Sequence, residues 1–242
     1  VAGVPAVLVI LIGLALGFLL GCVNGFLISK LSLQPFVATM GTMSIFRGIA
    51  YVVTDGKPVL SVPKTFRRTV DGLIIGDIRI SIIIFLVAAV ILGILLKETE
   101  FGNSVYAIGG NEEAARLSGI KTTLNKVLIY GVGMMGTAMA AIIQIGKLGT
   151  GEASAGQGYE LDAIAAVAIG GASMAGGRGG ILGTVLGAIL FAGLKVGLIT
   201  AGVETFYQYI ATGLVIVIAA CIEIVQAKIT EKTNLKNVKR VK

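Results

Sequence analysis

The sequence predicts an all-α polytopic membrane bundle of about seven spans, and three observations predict it. Of 242 residues, 55% are hydrophobic and only 14% charged, far from the composition of a soluble globular domain. Apolar runs of about 17 to 25 residues, the length that crosses a bilayer, recur too often to be core helices or a lone signal peptide. The 35 glycines fall largely within those runs, where small residues let helices approach closely. The same composition narrows the chemistry. There is no histidine, and Cys22 and Cys221 each sit inside an apolar run, which removes a His/Cys metal site and disfavours a disulfide framework. The formal charge of +7 reports topology in such a chain rather than nucleic-acid binding.

Taken in order, residues 4–28 form an unbroken apolar span with Gly13, Gly17, Gly21 and Gly25 at four-residue spacing, the pattern of a close helix contact. A polar link with Lys30 leads to Pro35 and a second span, 36–53. Arg47 lies inside that span and must face protein or water; structural pairing and a place on a substrate path remain open for it. Residues 54–79 read as an ordered loop with turns, rich in basic residues. Span 80–96 precedes the polar region 97–126, and span 127–145 follows it with Gly131, Gly133 and Gly136. Residues 147–160 are a Gly-rich loop. Residues 161–180 are apolar but carry glycine pairs at Gly170-Gly171, Gly176-Gly177 and Gly179-Gly180, which break a regular helix. Unwound backbone at membrane depth needs protein or a watery cavity around it, so a transport pathway or gate and a tight packing turn are both open. Spans 181–200 and 205–226 complete the chain, followed by a basic tail, 227–242.

Basic residues concentrate on the cytoplasmic side of membrane proteins. The tail therefore lies inside. Alternation then places Lys30, the region 97–126 and Arg178 inside as well, with Arg47 and Lys195 in the membrane. The loop 54–79 dissents, because its five basic residues fall outside. Lys57, Lys64, Arg67 and Arg68 are expected either to meet an acidic extracytoplasmic protein or to form an ordinary solvated loop.

The polar region holds the most informative stretch, residues 106–120. Asn111 is a good N-cap, Glu112 and Glu113 suit the positive end of the helix dipole, and Gly119 supplies a left-handed stop. Between them Ala114, Ala115, Arg116, Leu117 and Ser118 make a two-turn helix. Ala114, Leu117 and Ser118 share one side, and Glu113 and Arg116 are spaced to pair. So short a helix needs a surface to dock on, and a membrane protein that holds one out offers it to a soluble partner. The order Gly-x-x-x-x-Gly-Lys-Ser/Thr of a phosphate-cradling loop occurs nowhere in the chain.

Residues 24–30, 35–51 (notably Gly41-Thr42-Met43-Ser44 and Arg47-Gly48), 54–58, 109–120, and 168–171 through Arg178-Gly179 together resemble the permease subunit of bacterial ABC importers for ribose and related monosaccharides. The resemblance covers nearly the whole chain. It implies one transmembrane permease domain over 1–242, a cytoplasmic coupling loop at 97–126, and a multi-pass protein of the bacterial inner membrane with its C-terminus in the cytoplasm. The implied partners are a second permease subunit (homo- or heterodimer), a cytoplasmic ABC ATPase and an extracytoplasmic sugar-binding protein. ATP and Mg would sit on the ATPase, with no cofactor or metal bound by this chain and no catalytic residue in it. Family members carry further transmembrane segments before the part matching 4–28, so the chain resembles the later part of a permease.

The resemblance also implies alternating access, in which an uncharged sugar needs hydroxyl and amide contacts. The candidates by location are Thr39, Thr42, Ser44 and Ser173, with Arg47, Gly170 and Gly171 at the pathway or gate; each has an equal role as a packing residue. Two rival readings stand beside it. One is an ABC permease for branched-chain amino acids or a furanose-like signal molecule. The other is a secondary transporter, which needs intramembrane carboxylates; only Asp162 and Glu223 approach that role.

Overall fold

The computed structural model describes residues 4–60, 62–219 and 221. The chain divides into two compact units, Val1–Gln157 and Gly158–Lys242. Five helices among the described residues are long and apolar enough to cross a membrane: α1 (Ala6–Lys30), α2 (Pro35–Thr54), α4 (Ile80–Glu98), α7 (Thr122–Leu148) and α9 (Ile181–Thr200). The chain is a multi-pass, all-α membrane protein. Of the seven expected spans, the remaining two correspond to α8 (Tyr159–Ile169), which has 11 residues, and α10 (Thr205–Ala219). Apart from residue 221, the rest of the expected span 205–226, with Glu223, and the basic tail lie outside the described residues.

In the first unit, α1 packs antiparallel on α7 through the glycine repeat. A methyl group added at Gly17 would meet the Ala138 Cβ at 2.5 Å, one at Gly25 would meet the Val127 Cα at 2.5 Å, and one at Gly21 would run into the Tyr130 carbonyl. Where Cβ atoms are missing the two backbones come into direct contact, which maximises dispersion in a medium with no hydrophobic driving force between helices. Helix α2 joins α1 through one buried polar contact, the Thr42 hydroxyl donating to Asn24 Oδ1 at 2.6 Å. Most of the remaining surface of these helices is apolar and exposed, as lipid-facing surface must be.

The loop after α2 is more structured than turns alone. It contains α3 (Lys64–Asp71) and an antiparallel pair, β1 (Leu73–Ile75) and β2 (Ile78–Arg79). Alternation explains α3: Phe66 and Val70 are buried while Lys64, Arg67 and Arg68 are exposed, an i, i+4 apolar stripe opposite a basic face. The helix packs on α7, and Arg67 Nε donates to the Gly146 carbonyl at 3.3 Å. Val59 and Gly151 exchange backbone hydrogen bonds of 2.8 and 3.0 Å. The segments 55–79 and 149–151 therefore occupy one end of this unit. Lys30 and residues 99–121 occupy the other, where α1 ends and α7 begins.

In the second unit, α8 and α9 form an antiparallel hairpin. Their contact is again backbone to backbone: a Cβ at Gly183 or at Gly187 would strike the Gly170 or the Ala166 carbonyl. Ala165, Ala166 and Phe191 are the buried core, with Ala188, Val215 and Ile216 against them. Residues 170–180 connect the two helices without helical structure. The break falls where the glycine pairs predict it.

Candidate functional site

The polar region between α4 and α7 is built in three steps. Thr99 ends α4 and caps α5 (Glu100–Gly110): its Oγ accepts from the Gly102 N–H at 3.2 Å and donates to the Leu95 carbonyl at 2.5 Å. Helix α5 was not expected from the sequence as a separate element. Its signal is the capping threonine followed by Glu100 in the first turn, blurred by Gly102, Gly109 and Gly110, which lower the helical tendency of the run. Asn111 then serves both helices. It is the last residue of α5's cap and the first of α6 (Glu112–Leu117), where its Oδ1 accepts from the Ala114 N–H at 3.0 Å.

The end of α6 is a Schellman turn. The Ile120 N–H donates to the Ala115 carbonyl at 3.1 Å and the Gly119 N–H to the Arg116 carbonyl at 3.0 Å, with Gly119 at φ +87°, as the sequence predicts for a left-handed stop. The Glu113–Arg116 pair forms at 2.6 Å on the open surface, where such pairs contribute little to stability. The guanidinium is held above its ordinary value by that carboxylate. Part of the surface that so short a helix needs comes from the chain itself. Ala115 is buried, and Lys126 Nζ meets Glu112 Oε1 at 2.5 Å, tying α6 to the first turns of α7. The other face is open. Ala114 and Ser118 are exposed, and Leu117 is 79% exposed, beside a cleft lined by Arg116, Ile120, Lys121, Thr122, Leu124 and Val127.

The expected pathway residues are divided between the two units. In the first, Thr42 is buried and committed to Asn24, a partner that sequence reasoning missed. Thr39 and Ser44 donate back to carbonyls of their own helix, Pro35 at 2.9 Å and Met40 at 3.1 Å. Arg47 is half-buried on α2 and forms no salt bridge among the described residues. In the second, Gly170 is the close-contact residue against Gly183, and Gly171 turns the chain out of α8. Ser173 closes the connection: its N–H donates to the Arg178 carbonyl at 3.0 Å and its Oγ accepts from the Ala175 N–H at 3.2 Å.

Sequence reasoning placed Lys195 in the membrane and saw Asp162 as one of two carboxylates that approach an ion-coupling role. The hairpin brings them together, Lys195 Nζ to Asp162 Oδ2 at 2.5 Å, both side chains about three-quarters to two-thirds buried. The ammonium also lies 5.8 Å from the Phe191 ring centroid, a cation–π distance. In an apolar setting each charge makes the other tolerable.

Antiparallel apolar helices seated on glycine, a half-length helix ended by unwound backbone, and one capped polar helix with a bare leucine define a multi-pass membrane protein that holds a polar helix clear of its spans. The particular family follows from comparison with known proteins. Residues 2–220 match the family described as the branched-chain amino acid transport system / permease component, and the chain belongs to that family. It is 45% identical over 225 residues to the ribose import permease protein of Bacillus subtilis (strain 168), covering 92% of this chain and 70% of that one. It is 38% identical to the galactose/methyl galactoside import permease protein of Haemophilus influenzae, with 91% and 67% covered. The ribose import permease protein of Escherichia coli (strain K12) is also 38% identical, with 91% and 70% covered. No solved structure gives a significant match.

Proposed function

We propose that this chain is the membrane-spanning subunit of an ATP-driven importer that carries a ribose-like monosaccharide, with α6 as the element pushed by a cytoplasmic ATPase. The observation that carries the coupling half of this reading is α6 itself. It is pinned to α7 by Lys126–Glu112 and to α5 by the shared Asn111, yet leaves Leu117 bare. Force applied to its open face passes into α5 and α7 through those two ties, and through α5 into α4. Residues 111 to 119 would meet the ATPase, with Leu117 filling an apolar pocket and Glu113 and Arg116 framing it. ATP and Mg would reside on that partner, and an extracytoplasmic binding protein and a second permease subunit would complete the assembly. The end of the first unit that bears α6 would face the cytoplasm, together with the C-terminus. No bond is made or broken by this subunit; it alternates which side of the membrane the path opens to.

The sugar half rests on the named relatives, three of which import ribose or galactose, whereas the family description names branched-chain amino acids. Uptake of radiolabelled ribose, galactose and leucine separates the two readings, measured in cells expressing the full importer and lacking their own carriers. Ribose or galactose accumulation that depends on this chain is the expected result. Accumulation of leucine alone would replace the sugar reading with the amino-acid one.

A further inference from the structure

At the end of the first unit opposite α6, Lys64, Arg67, Arg68, Arg79 and Lys147 line an open cleft together with Asp71, Gly72 and Gly146. Five cations share the cleft with one carboxylate. That carboxylate is already used: Asp71 accepts from Arg79 at 2.6 Å and from the Ser81 hydroxyl at 2.7 Å, and its side chain is 5% exposed. Arg67 is spent on the Gly146 carbonyl. Lys64, Arg68 and Lys147 are exposed and form no salt bridge among the described residues, so the cleft is built around uncompensated positive charge.

Its height is fixed by the spans. Arg79 is the residue before α4 begins, and Lys147 is the last but one of α7. The Arg67–Gly146 bond draws the basic face of α3 down onto the final turn of α7 rather than letting it project outward. The first turn of α4 and the last residue of α7, next in sequence to Arg79 and Lys147, present apolar side chains, Ile82, Ile83 and Leu148, that are 40 to 55% exposed. Cations at the rim of an apolar surface match one ligand in both charge and depth, a phosphate whose attached chains run along the spans. An acidic soluble protein would match the charge alone. We propose that this cleft binds the headgroup phosphate of an anionic phospholipid, with Lys64, Arg68 and Lys147 as its ligands.

The test uses the purified full chain in detergent, given equal amounts of phosphatidylglycerol and phosphatidylcholine, with retained lipid counted by native mass spectrometry. Phosphatidylglycerol should be retained preferentially. The preference should fall about fivefold for each cation removed in Lys64→Gln, Arg68→Gln and Lys147→Gln, while the charge-keeping Lys64→Arg and Lys147→Arg retain it. The three side chains are exposed, and should a variant with all three substitutions fail to fold, the single variants read the same fivefold step. Equal retention of the two lipids, or a preference unchanged in every Gln variant, overturns the proposal. So does full displacement by excess inorganic phosphate, which would mark a free-anion site. Loss of docking by an acidic binding protein in the variants, with lipid preference intact, would make the cleft a protein interface instead.

Discussion

Asp162 and Lys195 are 33 residues apart in the chain and 2.5 Å apart in the fold. Removing the ammonium with Lys195→Met leaves a carboxylate in an apolar setting, which costs up to about 3 kcal/mol at the centre of a span and less toward its end. The variant should melt below the parent, Asp162→Leu likewise, and the double variant Asp162→Leu/Lys195→Met should recover much of the loss. Additive losses in the thermal melts would show that the pair does not act as one. Asp71 behaves differently because it ends α3, outside the spans. The Ser81 hydroxyl, followed by the Arg79 guanidinium, holds its carboxyl below the ordinary carboxylate value, against burial, which pushes it up. A depressed folded value means that the stabilisation is complete above the unfolded value of about 3.9 and is lost as pH falls through the lower folded one. Protection against hydrogen exchange across residues 71–81, corrected for the intrinsic pH dependence of amide exchange, should therefore fall below about pH 4 in the parent, while Asp71→Asn should show the reduced protection at every pH.

At the scale of the element, α6 carries the strongest expectation. Burying a leucine is worth about 1.5 to 3 kcal/mol, so Leu117→Ala should weaken assembly with the ATPase by roughly tenfold or more, and Leu117→Asp further, since it buries a charge. Gly119→Val should fail as well, because φ +87° is strained for a β-branched residue. Insertion and expression should hold while uptake and coupled ATPase activity fall together. Wild-type uptake by Leu117→Asp would remove α6 from the coupling role. The cap, the stop and the Glu113–Arg116 pair of this helix were legible in the sequence because each is local, fixed within a few residues of itself. What lay farther off was not: Lys126 meeting Glu112, Asn24 meeting Thr42 and Lys195 meeting Asp162 all depend on how two helices are registered, which no spacing within either one encodes. Helix α5 and the α3 helix were hidden for another reason. Each is short, and the proline before α3 and the glycines within α5 imitate a loop.

For the whole molecule, hydropathy located the five long helices among the described residues, since span length follows from bilayer thickness. The break after α8 was legible as well, because the glycine pairs from Gly170 onward mark where a regular helix stops. The sidedness of the loops can be checked directly. Single cysteines at Ser118 and Lys64, on a background lacking Cys22 and Cys221, should differ in intact cells: a membrane-impermeant thiol reagent should label Lys64→Cys and spare Ser118→Cys. Labelling of Ser118→Cys from outside would reverse the orientation.

The glycine seam between α1 and α7 also has a timetable. About ninety residues separate Lys30 from Thr122, and ribosomes add roughly 5 to 20 residues per second. Helix α1 therefore waits in the bilayer for about 5 to 20 s before the helix that fills its backbone groove begins to emerge. Only when α7 emerges can the groove close. During that interval any other glycine-faced helix in the same membrane competes for it, and the newborn chain is most exposed to mispairing and to quality-control proteases.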